Sequence, residues 1–387
     1  MLWMALALLA CSSTPPPEDS GDEGGEDGLA RCLEDWSDGL REIDPAGPDT
    51  QIHSEVAFDG SRLWFAWNRP NDDATFDVWG SIVGCDGAGI REPTPVSDSR
   101  DNEIDPTLAF AGGRALVAWT GSAGGGLDIR ARVLDADGAP ATAAAAFAGT
   151  RGGAPVTGNA TLPALATTGD AFVLAGSWGH PDAPAFQAFV ATLGVDGQPI
   201  DDADDVELDL DHGQTYVDVD VVGGAPRVVW QEDRVDTPTA SAWLGAPGEA
   251  PSLLGEPGYR PAVVADAAGV WAAWDDNAGS VFLRTPEGAD LELDLGAGFH
   301  HSPQLAAADG TVALLVLEVE SGIYNRLRLV RLSASGVVAE LPVSASGVPS
   351  VYEASLTLVD GQHAVVAWQE GDNPAFRAWA EWISWEP

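Results

Sequence analysis

The 387-residue chain contains no lysine; all 18 of its basic residues are arginine. That absence excludes several enzyme classes at once. Lysine-dependent phosphate loops, kinase active sites and Schiff-base chemistry each need an amine that this chain cannot supply. Basic residues of any kind are scarce, 18 against 60 acidic ones, for a formal charge of −42. Nucleic acid and anionic membrane surfaces are therefore not expected as partners, because both are gripped by clustered cationic side chains. Only four tyrosines, six histidines and three cysteines are present. Neither H-E-x-x-H nor G-x-S-x-G occurs, and a four-cysteine metal framework is impossible. The commonest zinc-hydrolase, serine-hydrolase and structural-zinc patterns are thus missing.

Glycine and proline, by contrast, are plentiful, at 45 and 27 residues. They favour many short strands joined by turns over long helices. Apolar residues make up 45% of the chain, enough for a large core. The use of arginine alone, with so much alanine and glycine, has the character of a GC-rich coding bias.

The first ten residues are apolar, and Leu8-Leu9-Ala10 leads directly into Cys11. Ten residues are too few to span a bilayer as a helix. The segment resembles the lipobox of bacterial lipoproteins, which implies cleavage after Ala10 and acylation of Cys11. Ser12 to Gly28 then carries six acidic residues, three prolines and no large apolar side chain. Such a stretch buries too little surface to offset its ordering entropy and is expected to be an extended, self-repelling tether. The expected organisation is a signal segment over 1–10, a lipidated cysteine with a disordered acidic linker over 11–28, and one folded domain over 29–387. Within the lipoprotein resemblance, Ser12 implies sorting to the outer membrane of the cell envelope. With Cys11 acylated, Cys32 and Cys85 remain as an even pair that an oxidising compartment would join as a disulfide.

A degenerate repeat runs through the folded part. Its apolar cores are LWFAW ending at Trp67, ALVAW at Trp119, FVLAG at Gly176, VVW at Trp230, VWAAW at Trp274, VALLVL at Leu317 and AVVAW at Trp368. Successive ends are 43 to 57 residues apart, the range of propeller blades. Each core follows a short strand and a glycine turn, and precedes an alternating strand closed by a turn such as Cys85-Asp86-Gly87 or Val195-Asp196-Gly197. The core strand itself does not alternate, as expected of a strand with a sheet on either side. Residues 39–58 parallel residues 89–110, so the N-terminal segment supplies an outer strand whose own blade lies at the other end of the chain. The reading is an all-β, seven-bladed β-propeller closed by an N-terminal outer strand, since tandem sandwich domains would not split the repeat. The pattern resembles WD40-like and TolB-like propeller-repeat lipoproteins of GC-rich Gram-negative bacteria. That resemblance covers about residues 30–387 and concerns fold, not activity.

Loops at one end of a propeller gather around its channel, and these supply the candidate binding rim. Those entering the innermost strands carry His53, Asp105, Tyr216, Arg260, His301 and Glu353. Those leaving the second strands carry Arg69, Asp72, Asp73, His180, Glu232, Asp233, Arg234, Asp275, Asp276, Glu370 and Asp372. Their variety from blade to blade is what a binding face would show and a structural repeat would not need. The S-x-D-x-G-x-T-W box of sialidase-type propellers is missing, and no residue is assigned as catalytic. Calcium is the single cofactor candidate, through Asp135-Ala136-Asp137-Gly138 and the cluster Asp201-Asp202-Ala203-Asp204-Asp205. Neither is followed by the bidentate acid of a complete calcium loop, so a hairpin turn and a solvated loop are expected, with no metal. The leading expectation is a monomeric, lipid-anchored, non-catalytic binding or scaffold module for a protein or glycan ligand. A propeller glycoside hydrolase using rim carboxylates and a purely structural envelope component are the alternatives.

Overall fold

The computed structural model describes residues 23–385 apart from 74, 100, 124–125, 148–149, 152–153, 156–159, 180–184, 207–210, 234–238, 321–323, 344–350 and 373–374. Cys11 lies outside the described residues. The chain forms seven four-stranded antiparallel sheets arranged as a β-propeller. Six sheets are simple meanders, in which each strand pairs with the next in sequence. The innermost strands are, from blade 1 to blade 7, Ile52–Phe58, Glu103–Ala111, Ala160–Thr167, Gly213–Val222, Tyr259–Asp266, Phe299–Ala308 and Val351–Leu358. In blade 7 the fourth strand is Gly39–Glu42, which pairs with Ala375–Ser384 in the register Gly39 to Trp382 and Glu42 to Trp379. Arg377 adds an ion pair to Glu42 at 3.0 Å.

The core is divided among the blade interfaces. Seven apolar clusters occupy the seven gaps, each built from two successive sheets. This placement explains why the second strands are apolar on both faces. Leu63–Trp67, for example, has every side chain buried, with one set facing blade 7 and the other blade 2. Trp67, Trp119, Trp230 and Trp368 are fully enclosed. Blade 3 has Gly176 at the equivalent position, and a Cβ there would stand 2.7 Å from Ile129 Cδ1 and 3.2 Å from Phe189 Cε1. Neighbouring side chains thus fill the space that tryptophan takes elsewhere.

One element departs from the expected tether. Glu23–Glu34 is a helix, so the last residues assigned to the acidic linker, 23–28, are helical. Two glycine-containing turns make this a poor helix on its own. Tertiary contacts supply the reason: Leu29, Leu33 and Trp36 pack into the apolar cluster between blades 7 and 1. Cys32 is joined to Cys85 by a disulfide, and Gly28 lies close enough to Ser61 that a Cβ would clash at 2.9 Å. No helix among the described residues is long and apolar enough to cross a membrane.

Because the wedge between blades is filled by whole tryptophans, Trp230→Ala is expected to destabilise the domain by about 3–5 kcal/mol. Equilibrium denaturation measures this, and a loss below 1 kcal/mol would mean that the gap collapses around the smaller residue.

Candidate functional site

Every innermost strand breaks register once near its start. The shifts fall between Ile52 and Glu55, Ile104 and Thr107, Thr161 and Ala164, Thr215 and Asp218, Tyr259 and Ala262, His301 and Gln304, and Tyr352 and Ala354. Within each bulge one non-glycine residue has a left-handed backbone: His53, Asp105, Leu162, Tyr216, Arg260, Ser302 and Glu353, with φ from 39° to 54°. Left-handed geometry costs an L-residue roughly 1–2 kcal/mol. A bulge with this geometry re-aims its side chain, and six of the seven line a single cavity of about 390 Å³ on the channel axis. Blade 3 contributes Pro163, the neighbour of Leu162.

The residue following each core tryptophan position holds these bulges in place. Gln369 Oε1 accepts from the His53 N–H at 2.9 Å, Thr120 Oγ1 from Leu162 at 3.0 Å, Gln231 Oε1 from Arg260 at 3.0 Å and Asp275 Oδ2 from Ser302 at 3.1 Å. Asn68 and Ser177 instead donate to the carbonyls of Glu103 and Gln214 in the following blade. Leu317 occupies the corresponding register in blade 6 and has no such group.

Two polar clusters face each other across the cavity. On one side His53 Nδ1 lies 2.9 Å from Asp105 Oδ1 and 2.9 Å from Glu353 Oε2. Burial opposes charging of this imidazole, but the two carboxylate hydrogen bonds outweigh it and push His53 up to about 9. Blade 1 stands opposite the junction of blades 4 and 5, which carry Tyr216 and Arg260. Arg260 is held by Asp275 through Nε to Oδ2 at 2.8 Å and Nη2 to Oδ1 at 2.5 Å. Asp275 is wholly buried and also accepts from the Asn277 N–H at 2.9 Å. Tyr216 is about half exposed.

Deeper in the channel stand Glu55 and Asp218. Water reaches both through the cavity, yet protein surrounds them otherwise. Burial, with Asp218 adding repulsion, pushes Glu55 up to about 8 against a stabilising hydrogen bond from Ser355. Burial likewise raises Asp218 to about 6, although the N–H groups of Val263 and Val219 stabilise its charge at 2.9 Å each.

The cavity therefore gathers His53, Asp105, Tyr216, Arg260 and Glu353 from the sequence-derived rim, and Asp275 reaches it through Arg260. The remaining rim residues are elsewhere. His301 turns its Nδ1 to Ser302 Oγ at 2.9 Å, and burial followed by the nearby Arg260 charge lowers its pKa. Arg69 stacks over Trp79 at 4.0 Å and pairs with Asp44 at 3.4 Å. Glu232 is buried near His212 at 3.9 Å, while Glu370 accepts from Trp368 Nε1 at 3.1 Å. Asp276 caps its own loop through the N–H groups of Ala278 and Ser280. Asp73 accepts from Thr75, Asp233 accepts from Thr215, and Asp72 is exposed outside the cavity. Arg234 and His180 lie outside the described residues, as does the side chain of Asp372. The physical reason is radial. Arg69, Glu232, Asp233, Asp275 and Glu370, expected in loops leaving the second strands, are still within those strands, one strand spacing, about 4.8 Å, farther from the axis and behind the bulge ring.

Sequence reading missed Leu162, Ser302, Glu55 and Asp218. A signal existed for the first two: each immediately precedes a proline that opens a strand run, as Asp105 and Arg260 also do. Asp135–Gly138 forms a hairpin turn closed by Gly138 N to Asp135 O at 2.7 Å, with Gly138 at φ 80°. Asp204 and Asp205 pair with Val190 and Phe189 as a short outer strand. Among the described residues no three His, Cys, Asp or Glu side chains are grouped to hold a metal ion.

The fold and cavity define a seven-bladed β-propeller with one mixed-charge pocket on its axis. No protein-family model matches the sequence, and no curated protein matches it. Among solved structures it is similar to a Dyadobacter fermentans protein of unknown function, with TM-score 0.55 and 12% identity over 90% of this chain and 100% of that one. The polysaccharide lyase Uly1 superposes with TM-score 0.56 and 10% identity, covering 91% of this chain and 92% of the lyase. The acylaminoacyl peptidase of Pyrococcus horikoshii gives 0.51 and 12%, covering 87% of this chain and 51% of the peptidase. At such identities the likeness is one of fold.

The titrations of Glu55 and His53 carry the same sign. Both pKa values are raised in the fold, from 4.5 to about 8 and from 6.5 to about 9. Each group therefore stabilises the native state while protonated, and that contribution fades as pH rises through the window. The melting temperature is expected to fall between about pH 5 and pH 9, with Glu55→Gln flattening the lower part and His53→Gln the upper. A melting temperature that rises across this range would contradict the assignment.

Proposed function

We propose that the protein is a lipid-anchored propeller that binds a glycan in its axial cavity. The observation that carries this reading is the ring of strained bulge residues. Seven equivalent backbones adopt one costly conformation, yet the side chains they present differ in every blade. A purely structural role would be met by any residue, so the variety points to recognition. A cavity of about 390 Å³ is in the range that takes a small ligand. Its polar lining, with an exposed tyrosine beside it, suits the hydroxyls and apolar ring faces of a sugar. The likeness in fold to a protein named as a polysaccharide lyase supports this reading. The anchor reading rests on Leu8-Leu9-Ala10-Cys11 and the acidic stretch after it, and it places the domain at the cell envelope, with Ser12 favouring the outer membrane.

Binding is favoured over glycoside hydrolysis for a geometric reason. Asp105 and Glu353 are near enough for a carboxylate pair, because both touch one nitrogen and so lie within roughly 6 Å of each other, a spacing known in retaining enzymes. However, the His53 imidazole occupies the space between them, where the glycosidic oxygen would have to sit.

Two measurements test this reading. On a glycan array the full chain is expected to retain a defined set of sugars, and Tyr216→Ala to weaken them by about 1 kcal/mol, roughly fivefold. An empty array, or affinity indifferent to Tyr216, would remove the glycan reading. Separately, labelled palmitate should enter the wild-type chain and not Cys11→Ser, which should shift to the soluble fraction; equal labelling would remove the anchor.

A further inference from the structure

We infer that the glycan taken by this cavity carries a free amino group, which docks against Glu353 and Asp105 while the sugar hydroxyls face Tyr216 and Arg260. The inference rests on the glycan-binding reading and narrows it to amino sugars. Charge balance is what separates the sugar classes. The lining holds four carboxyl groups, Glu55, Asp105, Asp218 and Glu353, against two basic side chains, His53 and Arg260. Burial favours the neutral forms of Glu55 and Asp218, so the negative excess rests on Asp105 and Glu353, which share one imidazole.

Neither base is free to receive an anion. Arg260 spends its charge on buried Asp275 in a bidentate pair, and Asp275 has no other cation beside it among the contacts described. His53 is shared between two carboxylates that touch the same nitrogen, so that end of the cavity keeps one negative charge in excess. The side chain of Glu353 is 51% exposed and that of Asp105 21%, so both still present carboxylate surface to the cavity. A uronate would bring a further negative charge into this lining. A neutral sugar would donate its hydroxyls to these carboxylates with only the acceptor charged. An ammonium group would bring the opposite charge to the same contact, so that hydrogen bond and ion pair coincide and the local negative excess is neutralised.

The arrangement around the ring also gives the ligand a direction. Three of the four lining carboxyl groups, Glu353, Glu55 and Asp105, stand on blades 7, 1 and 2, with Asp218 alone on blade 4, whereas Tyr216, Arg260 and Ser302 bring donor groups from blades 4, 5 and 6. A ligand with an ammonium group at one end and hydroxyl acceptors at the other matches both arcs at once. Blade 3 adds only Pro163, Ala164 and Leu165, an apolar wall suited to a ring face.

The test uses the full chain and calorimetric titration with four disaccharides of similar size: diglucosamine, its fully N-acetylated form, cellobiose and digalacturonate. Diglucosamine is expected to bind on the order of tenfold tighter than the acetylated form and cellobiose, with digalacturonate weakest. The margin should shrink with added salt, and Glu353→Gln should erase most of it. The N-acetyl control keeps the ring and removes only the charge. If the acetylated and free amines bind alike, or digalacturonate binds best, the amino-sugar inference is overturned while glycan binding stands. If none of the four binds, both readings fail.

Discussion

The molecule depends on a backbone contact repeated around its axis. Each innermost strand slips register near its start, and the displaced segment is caught by a side chain from the preceding blade wherever that position is polar. A backbone hydrogen bond of this kind contributes about 1 kcal/mol, and leaving the N–H buried and unpaired would cost about 1–3 kcal/mol. Those magnitudes match the cost of a left-handed residue. The bulge is thus sustained by its neighbour, not by its own sequence. Gln369 holding His53 also joins the last blade to the first, so ring closure and site geometry share one interaction.

The same contact links packing to chemistry. The polar side chain that catches the bulge directly follows the tryptophan that fills the wedge between sheets, as in Trp230-Gln231 and Trp368-Gln369. Apolar burial between blades fixes the second strand, the second strand fixes the catching residue, and that residue fixes the cavity lining. Asp275 shows the coupling most directly. It follows Trp274, accepts the Ser302 backbone of the next blade and clamps Arg260 of its own. Loss of this carboxylate would release two of the six bulge residues that line the cavity.

Low dielectric then shapes what the lining can do. Glu55 and Asp218 stand where water reaches them only along the channel, and burial favours their neutral forms. His53 experiences the same burial and yet is held cationic, because two carboxylates converge on it. The contrast is one of partners: Glu55 has Ser355 and the repulsion of Asp218, whereas His53 has two anions at 2.9 Å. A pocket of mixed charge is the result, its negative excess resting on the two carboxylates that share His53, and that excess underlies the proposed preference for an amino group.

Much of the fold was legible along the chain because it rests on local pattern. Non-alternating runs such as LWFAW report burial on both faces, Asp-Gly turns report hairpins, and their recurrence reports seven similar sheets. Five cavity residues could also be named, since they stand near the start of an inner strand. What sequence could not show was which side chains a bulge re-aims and which remain behind it. Arg69, Glu232 and Glu370 are charged in the same way, yet they lie near the ends of second strands and make their contacts one strand farther from the axis. Nor could it show that residues 23–34 form a helix, since that helix exists through its disulfide and its seat between two blades, not through its glycine-rich sequence. Periodicity and turn chemistry are properties of neighbours in sequence, and they determined the repeat. The meeting of His53 with Asp105 and Glu353 joins residues from blades 1, 2 and 7, and only closure of the ring decides it.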